Sequence, residues 1–189
     1  MTEAELLLDC LRRLNSLAVD YYVTGSMASN YWGVPRTTHD LDFVVRIDRS
    51  DVKSLVAAFA GDFYVDELAV NAAFAPPYQF NAIDTRSALK VDFWQPSPRA
   101  FDQEILNRRV KKTIEGTPAW FATAEDVILH KLVWNRITPS DRQMRDAAGV
   151  WAVQKSSLDL EYLWKWADEL SLRDDLQKIV SEEIRPKAT

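Results

Sequence analysis

Apolar residues change their period along this chain, and each change marks an element. Over residues 3–17, Leu7, Leu11, Leu14 and Leu17 recur at helical spacing with Leu8 and Cys10 beside them, which predicts an amphipathic opening helix. Residues 21–24 read as a short buried strand broken by Gly25. Ser26 reads as the N-cap of a short helix over 27–31, stopped by Gly33 and Pro35. Residues 41–47 are too apolar and β-branched for a surface loop and predict a strand, and residues 48–50 look like the cap of a helix running to Phe59. Beyond Gly61 the pattern predicts a strand over 63–65 and a helix over 67–74 that ends before Pro76 and Pro77. A hairpin of strands 78–83 and 89–94 follows, turning at 84–87, then a helix over 100–107 and short strands at 110–114 and 117–121.

After Thr123 the period is helical throughout. Segments 124–136, 142–154, 158–170 and 172–184 are separated by Pro139 with Ser140 and by Ser156 with Ser157. Leu158, Tyr162, Trp166 and Leu170 share a face and read as core. The expected architecture is an α/β (α+β) lobe over residues 1–122, a mixed sheet flanked by helices, followed by a C-terminal helical lobe over 123–189.

Composition narrows the class. The 189 residues are 47% hydrophobic and 27% charged with five glycines, the make-up of a globular protein able to fill a core. The single cysteine excludes an internal disulfide or a cysteine-built zinc site and fits a reducing cytoplasm. The start has no basic segment followed by an apolar one, and no run of eighteen apolar residues occurs, so neither export nor membrane insertion is expected. A net charge of −5 argues against coating nucleic acid through bulk positive charge. The local run Arg108, Arg109, Lys111 and Lys112 is the best candidate for a local basic patch, and reads first as a charged edge strand that discourages unwanted pairing.

The chemistry concentrates around residues 36–45, Arg-Thr-Thr-His-Asp-Leu-Asp-Phe-Val-Val. On a strand, Asp40 and Asp42 project from one face while Leu41 and Phe43 point from the other. Paired carboxylates amid apolar neighbours are costly unless a cation joins them, and Mg²⁺ is commonly held by one or two carboxylates together with substrate phosphates. Upstream, Gly25 and Ser26 at a strand-to-helix turn are a candidate phosphate cradle. Asp92, alternating with Val91 and Phe93, is a candidate third carboxylate. Lys131 can snorkel from an apolar helix or reach a phosphate, Asp146 can be a surface charge or a site residue, and Ser26 can be a plain cap. His39 and His130 are too few and too scattered for a zinc site, and His39 reads as a loop residue beside the carboxylates.

Gly25-Ser26, then Asp40-Leu41-Asp42, then Asp92 on a later strand, is similar to the pattern of the nucleotidyltransferase superfamily related to DNA polymerase β. More narrowly, residues 36–42 resemble the second motif of AbiEii-type nucleotidyltransferases, toxin components of bacterial phage-defence and toxin–antitoxin pairs. Residues 123–132, with Lys131, resemble that family's third motif, and 140–146, with Asp146, its fourth. The first motif of the group often carries two consecutive glycines, whereas here Ser26 takes the second place.

The resemblance implies transfer of a nucleoside monophosphate from a nucleoside triphosphate (NTP) to a hydroxyl. Asp40 and Asp42 would bind Mg²⁺, with Asp92 joining a second metal or accepting the proton of the attacking hydroxyl; Gly25, Ser26, Arg36 and Lys131 would bind the nucleotide; Asp146 would orient Lys131 or the acceptor. Three functions are compatible with it. The first is transfer onto RNA, tRNA included, or protein, with an antitoxin as a candidate partner. The second is transfer onto a small molecule, as antibiotic-modifying enzymes of the superfamily do, and the third is a non-catalytic partner-binding module.

Overall fold

The computed structural model describes residues 2–186. In chain order its elements are α1 (Glu3–Leu17), β1 (Asp20–Val23), α2 (Gly25–Trp32), β2 (Leu41–Arg46), a 3₁₀ turn (Arg49–Asp51) leading into α3 (Val52–Phe59), β3 (Phe63–Val65), α4 (Glu67–Ala72), β4 (Gln79–Asp84) and β5 (Lys90–Trp94). They continue with α5 (Ala100–Arg108), β6 (Val110–Ile114), β7 (Thr117–Phe121), α6 (Ala124–Ile137), α7 (Asp141–Gln154), α8 (Leu160–Glu169) and α9 (Arg173–Val180). The chain divides into two compact units, one of residues 1–24 and 39–121, the other of residues 25–38 and 122–189.

The first unit holds a seven-stranded mixed sheet in the order β3-β4-β5-β2-β1-β7-β6. β2 runs parallel to β5 and β1 parallel to β7, and the remaining neighbours are antiparallel. Its register is fixed by an aromatic row on one face. Phe80, Phe93 and Phe43 are register partners on β4, β5 and β2, with ring centroids 5.1 and 5.6 Å apart, and Phe59 of α3 meets Phe93 edge-on at 5.3 Å. These rings are all but fully buried, each stabilising the unit by about 1.5–3 kcal/mol. A one-residue slip would turn the rings to the opposite face and put the neighbouring carboxylates in their place, so the aromatic row also dictates where the acidic row lies.

Helix α1 closes over the sheet, packing against β7 and α3 with Leu6, Leu11 and Leu14 fully buried, and it opens with a capping box between Thr2 and Glu5. Cys10 lies in this buried stripe, where burial pushes its thiol up and leaves it inert. Of the basic run, Lys111 and Lys112 fall on β6, an edge of the sheet, with Lys111 exposed, whereas Arg108 ends α5 and Arg109 caps it. Arg109 turns back to Asp20 at 2.5 Å and lies over the Trp120 ring. The run is therefore partly structural and partly edge protection.

The second unit is helical. Helix α2 packs on α6 and α7, α8 on α6, and α9 on α7 and α8. Gly33 permits the approach of α2 to α7, since a Cβ there would lie 2.6 Å from the Val150 backbone nitrogen. Among the C-terminal helices, two boundaries differ from the sequence expectation by two residues or more. Asp159 accepts from the Tyr162 amide and caps α8, so Leu158 stays outside the helix and the buried face becomes Leu163, Trp166 and Ala167. Helix α9 ends at Val180 rather than at residue 184. Residues 25–38 group with the C-terminal helices although the chain visits them between two strands of the sheet.

Candidate active site

On the sheet, one residue along each strand from the aromatic row, side chains face the other way and are polar. Asp42 and Asp92 are register partners on the parallel strands β2 and β5, and Asn81 of β4 is the partner of Asp92. The row extends to Thr24, whose amide donates to the Asp42 carbonyl at 3.0 Å. Side chains paired across adjacent strands point the same way at a strand spacing of about 4.8 Å, so two carboxylates stand side by side in the middle of the sheet. Asp40 lies one step before β2 and is exposed. Asp92 is 9% exposed, and its Oδ1 is buried with no hydrogen-bond partner. Its Oδ2 pairs with Lys90 Nζ at 2.7 Å. The hydrogen bond from Lys90 to Asp92 raises the Lys90 pKa against burial, and the charges of Asp40 and Asp42 raise it further. That ammonium therefore feels all three carboxylates.

Among the described residues no three His, Cys, Asp or Glu side chains form a ready metal cage. The donor set nevertheless fits Mg²⁺. It offers two adjacent carboxylates and an orphaned buried oxygen, and this ion completes its octahedron with water and substrate phosphate rather than with protein alone. His39 pairs with Glu3 at 2.5 Å, and His130 lies tilted against Trp134.

In the helical unit the basic residues converge on one carboxylate. Arg36 forks onto Asp146, Nε to Oδ1 at 2.7 Å and Nη2 to Oδ2 at 2.8 Å, and Lys131 Nζ donates to Oδ2 at 2.9 Å. Burial pushes the Asp146 pKa up, but the Arg36 hydrogen bonds and the Lys131 charge outweigh it and hold the carboxyl below its usual value. Arg36 Nη2 also donates to Ser26 Oγ at 2.8 Å. Asn30 fixes the Arg36 backbone from both sides, donating to its carbonyl at 2.7 Å and accepting from its amide at 3.0 Å. Ser26 is thus not the helix cap expected from the sequence: α2 starts at Gly25, and the hydroxyl turns to Arg36 instead. Gly25 adopts φ +61°, a left-handed conformation that glycine takes at no steric penalty. Two cations and one anion leave this cluster of Ser26, Arg36, Lys131 and Asp146 with a net positive charge suited to phosphate.

Sequence reasoning singled out the carboxylates and basic residues but assigned no role to Lys90, Asn81 or Asn30. The first two share a face with Asp92 by strand alternation and pairing, and Asn30 lies one helical turn past Ser26. Only the alternation around Lys90 is a signal visible in one dimension.

No family model matches the chain, and no curated protein matches it in sequence. Solved structures do. The crystal structure of ANT(2″)-Ia in complex with adenylyl-2″-tobramycin aligns with a TM-score of 0.61 at 15% identity, covering 92% of this chain and 99% of that one. An antigenic nucleotidyltransferase-like protein from Paracoccidioides brasiliensis aligns at 0.56 and 15% identity, covering 98% and 94%. The solution structure of ANT(2″)-Ia aligns at 0.55 and 14% identity, covering 95% and 93%. The chain has the nucleotidyltransferase fold, a mixed sheet flanked by helices, over essentially its whole length.

Proposed function

We propose that the protein is a Mg²⁺-dependent nucleotidyltransferase that moves a nucleoside monophosphate from an NTP to a hydroxyl. The observation that carries this reading is the pair Asp42 and Asp92, side by side on parallel central strands with one buried carboxylate oxygen unpartnered. A structural pair of like charges would be destabilising there, and a divalent ion turns it into an asset. Bound by Asp40, Asp42 and Asp92, Mg²⁺ would supply charge to the phosphate oxygens in the transition state. Ser26, through its O–H and its amide, with Gly25, Arg36 and Lys131, holds the triphosphate. Asp146 is a positioning residue that keeps Arg36 and Lys131 extended as donors. The acceptor oxygen forms a bond to the α-phosphorus as the bond to the bridging α–β oxygen breaks and pyrophosphate leaves. The hydroxyl proton passes to the Asp92 carboxylate oxygen that the ion does not engage.

The first acceptor reading, which rests on the AbiEii-like motifs, is RNA, including tRNA, or protein, with the enzyme acting as the toxin of a pair restrained by an antitoxin. The second, transfer onto a small molecule, is favoured by the alignment to an antibiotic-modifying enzyme over 99% of that enzyme's length. Incubating the protein with each α-labelled NTP and Mg²⁺ beside total RNA, cell protein and an aminoglycoside separates them. Label in one acceptor that vanishes with Asp42→Ala names the class, and no label anywhere overturns the enzymatic reading.

A further inference from the structure

We infer that Lys90 is a tethered counter-ion of the carboxylate row, which a divalent cation must displace, so that this one side chain sets the ion concentration at which the site fills. The inference rests on the metal-binding reading above. Lys90 and Asp92 lie two residues apart on β5 and therefore on one face, so the lysine stem runs along the strand and its ammonium meets Asp92 Oδ2 at 2.7 Å. That oxygen is one of the two an ion bound at Asp92 would use.

The two partners differ in their freedom to move. The Asp92 side chain is 12% exposed and anchored in the middle of the sheet, whereas that of Lys90 is 50% exposed. Four rotatable bonds let the ammonium swing into water while the carboxylate stays. An ammonium held against the same carboxylates as a divalent ion repels it, even at a water-like dielectric and a separation of about 5 Å, by enough to change affinity roughly tenfold or more. The pair also explains how the sheet tolerates Asp42 beside Asp92 without an ion: the neighbouring ammonium neutralises one of the two charges, while Asp92 Oδ1 is left over for a ligand that the lysine does not satisfy.

Mn²⁺ binding by the whole protein, followed by the loss of the free-ion paramagnetic resonance signal, tests this without nucleotide or turnover. Lys90→Met is expected to bind Mn²⁺ about tenfold or more tighter than wild type, and Lys90→Arg, which keeps the charge, to stay within about threefold of it. Lys111→Met on the sheet edge alters net charge equally and is expected to leave affinity unchanged. Equal or weaker binding by Lys90→Met, or equal tightening by Lys111→Met, overturns the inference while leaving the metal site standing. Absence of Mn²⁺ binding in both wild type and Lys90→Met overturns the inference and removes the metal from the proposed function. Binding that appears only in Lys90→Met supports the inference, and the transfer assay then decides the reaction separately.

Discussion

Asp146 offers the sharpest test of the helical unit. Its side chain is 7% exposed, as is that of Lys131, and Arg36 is 25% exposed, so removing the carboxylate takes from two cations the anion they share in a setting that water only partly reaches. Breaking a buried ion pair from one side costs about 3–5 kcal/mol, because the remaining charge keeps its desolvation penalty. Asp146→Leu at pH 7 is therefore expected to lose about that much, which moves a urea midpoint down by about 1–2 M or more. Replacing all three charges, Asp146→Leu with Arg36→Met and Lys131→Met, is expected to recover most of the loss, since no buried charge is then unpaired. The pH dependence has a definite sign. The folded pKa lies below the unfolded value of about 3.9, so the carboxylate's contribution is complete above that value and disappears as pH falls through the folded pKa. The gap between wild type and Asp146→Asn should thus narrow only below about pH 4. A loss under about 1 kcal/mol at pH 7, or a triple variant no better than the single one, would refute the idea that Asp146 organises these cations.

The remaining predictions are briefer. Asp42→Asn is expected to abolish label transfer, by at least about a thousandfold, while leaving ion-free stability unchanged or higher by about 0.5 kcal/mol, because one of two adjacent like charges is gone; a clear loss of stability would show that the pair is structural. Tyr162→Phe removes a 2.6 Å hydrogen bond to Asp126, which is 0% exposed and also bonded to Thr123, and should cost about 1.5–3 kcal/mol by chemical denaturation. Gly33→Ala drives a methyl to 2.6 Å from the Val150 nitrogen and should destabilise by about 1–3 kcal/mol, read from the thermal midpoint. Lys111→Val with Lys112→Val on the edge strand β6 should promote self-association, visible by light scattering.

Much of the fold was legible because its strands alternate cleanly. The runs holding Phe43 and Phe93 announce a buried face, and period two then assigns Asp42 and Asp92 to the opposite one. That these two aspartates are neighbours was not legible, since the pairing of β2 with β5 joins segments about fifty residues apart and is decided by the packed aromatic row. Ser26 misled for a related reason. A serine after a strand is a good cap by local chemistry, but its hydroxyl is recruited by Arg36 ten residues later, an arrangement that depends on Asn30 holding the intervening loop. Asp159 displaced the start of α8 by two residues because its side chain caps the Tyr162 amide, a choice that the apolar period leaves open.

The membership of residues 25–38 in the helical unit has a consequence for how the chain is made. Helix α2 leaves the ribosome early, but α6 and α7, on which it packs, begin about ninety and about one hundred and ten residues later. At translation rates of about 5–20 residues per second, α2 waits roughly 5–20 s for its partners. A nascent chain stalled near Phe121 would already hold every strand of the sheet yet display an orphaned helix, a signal that chaperones and proteases are equipped to read.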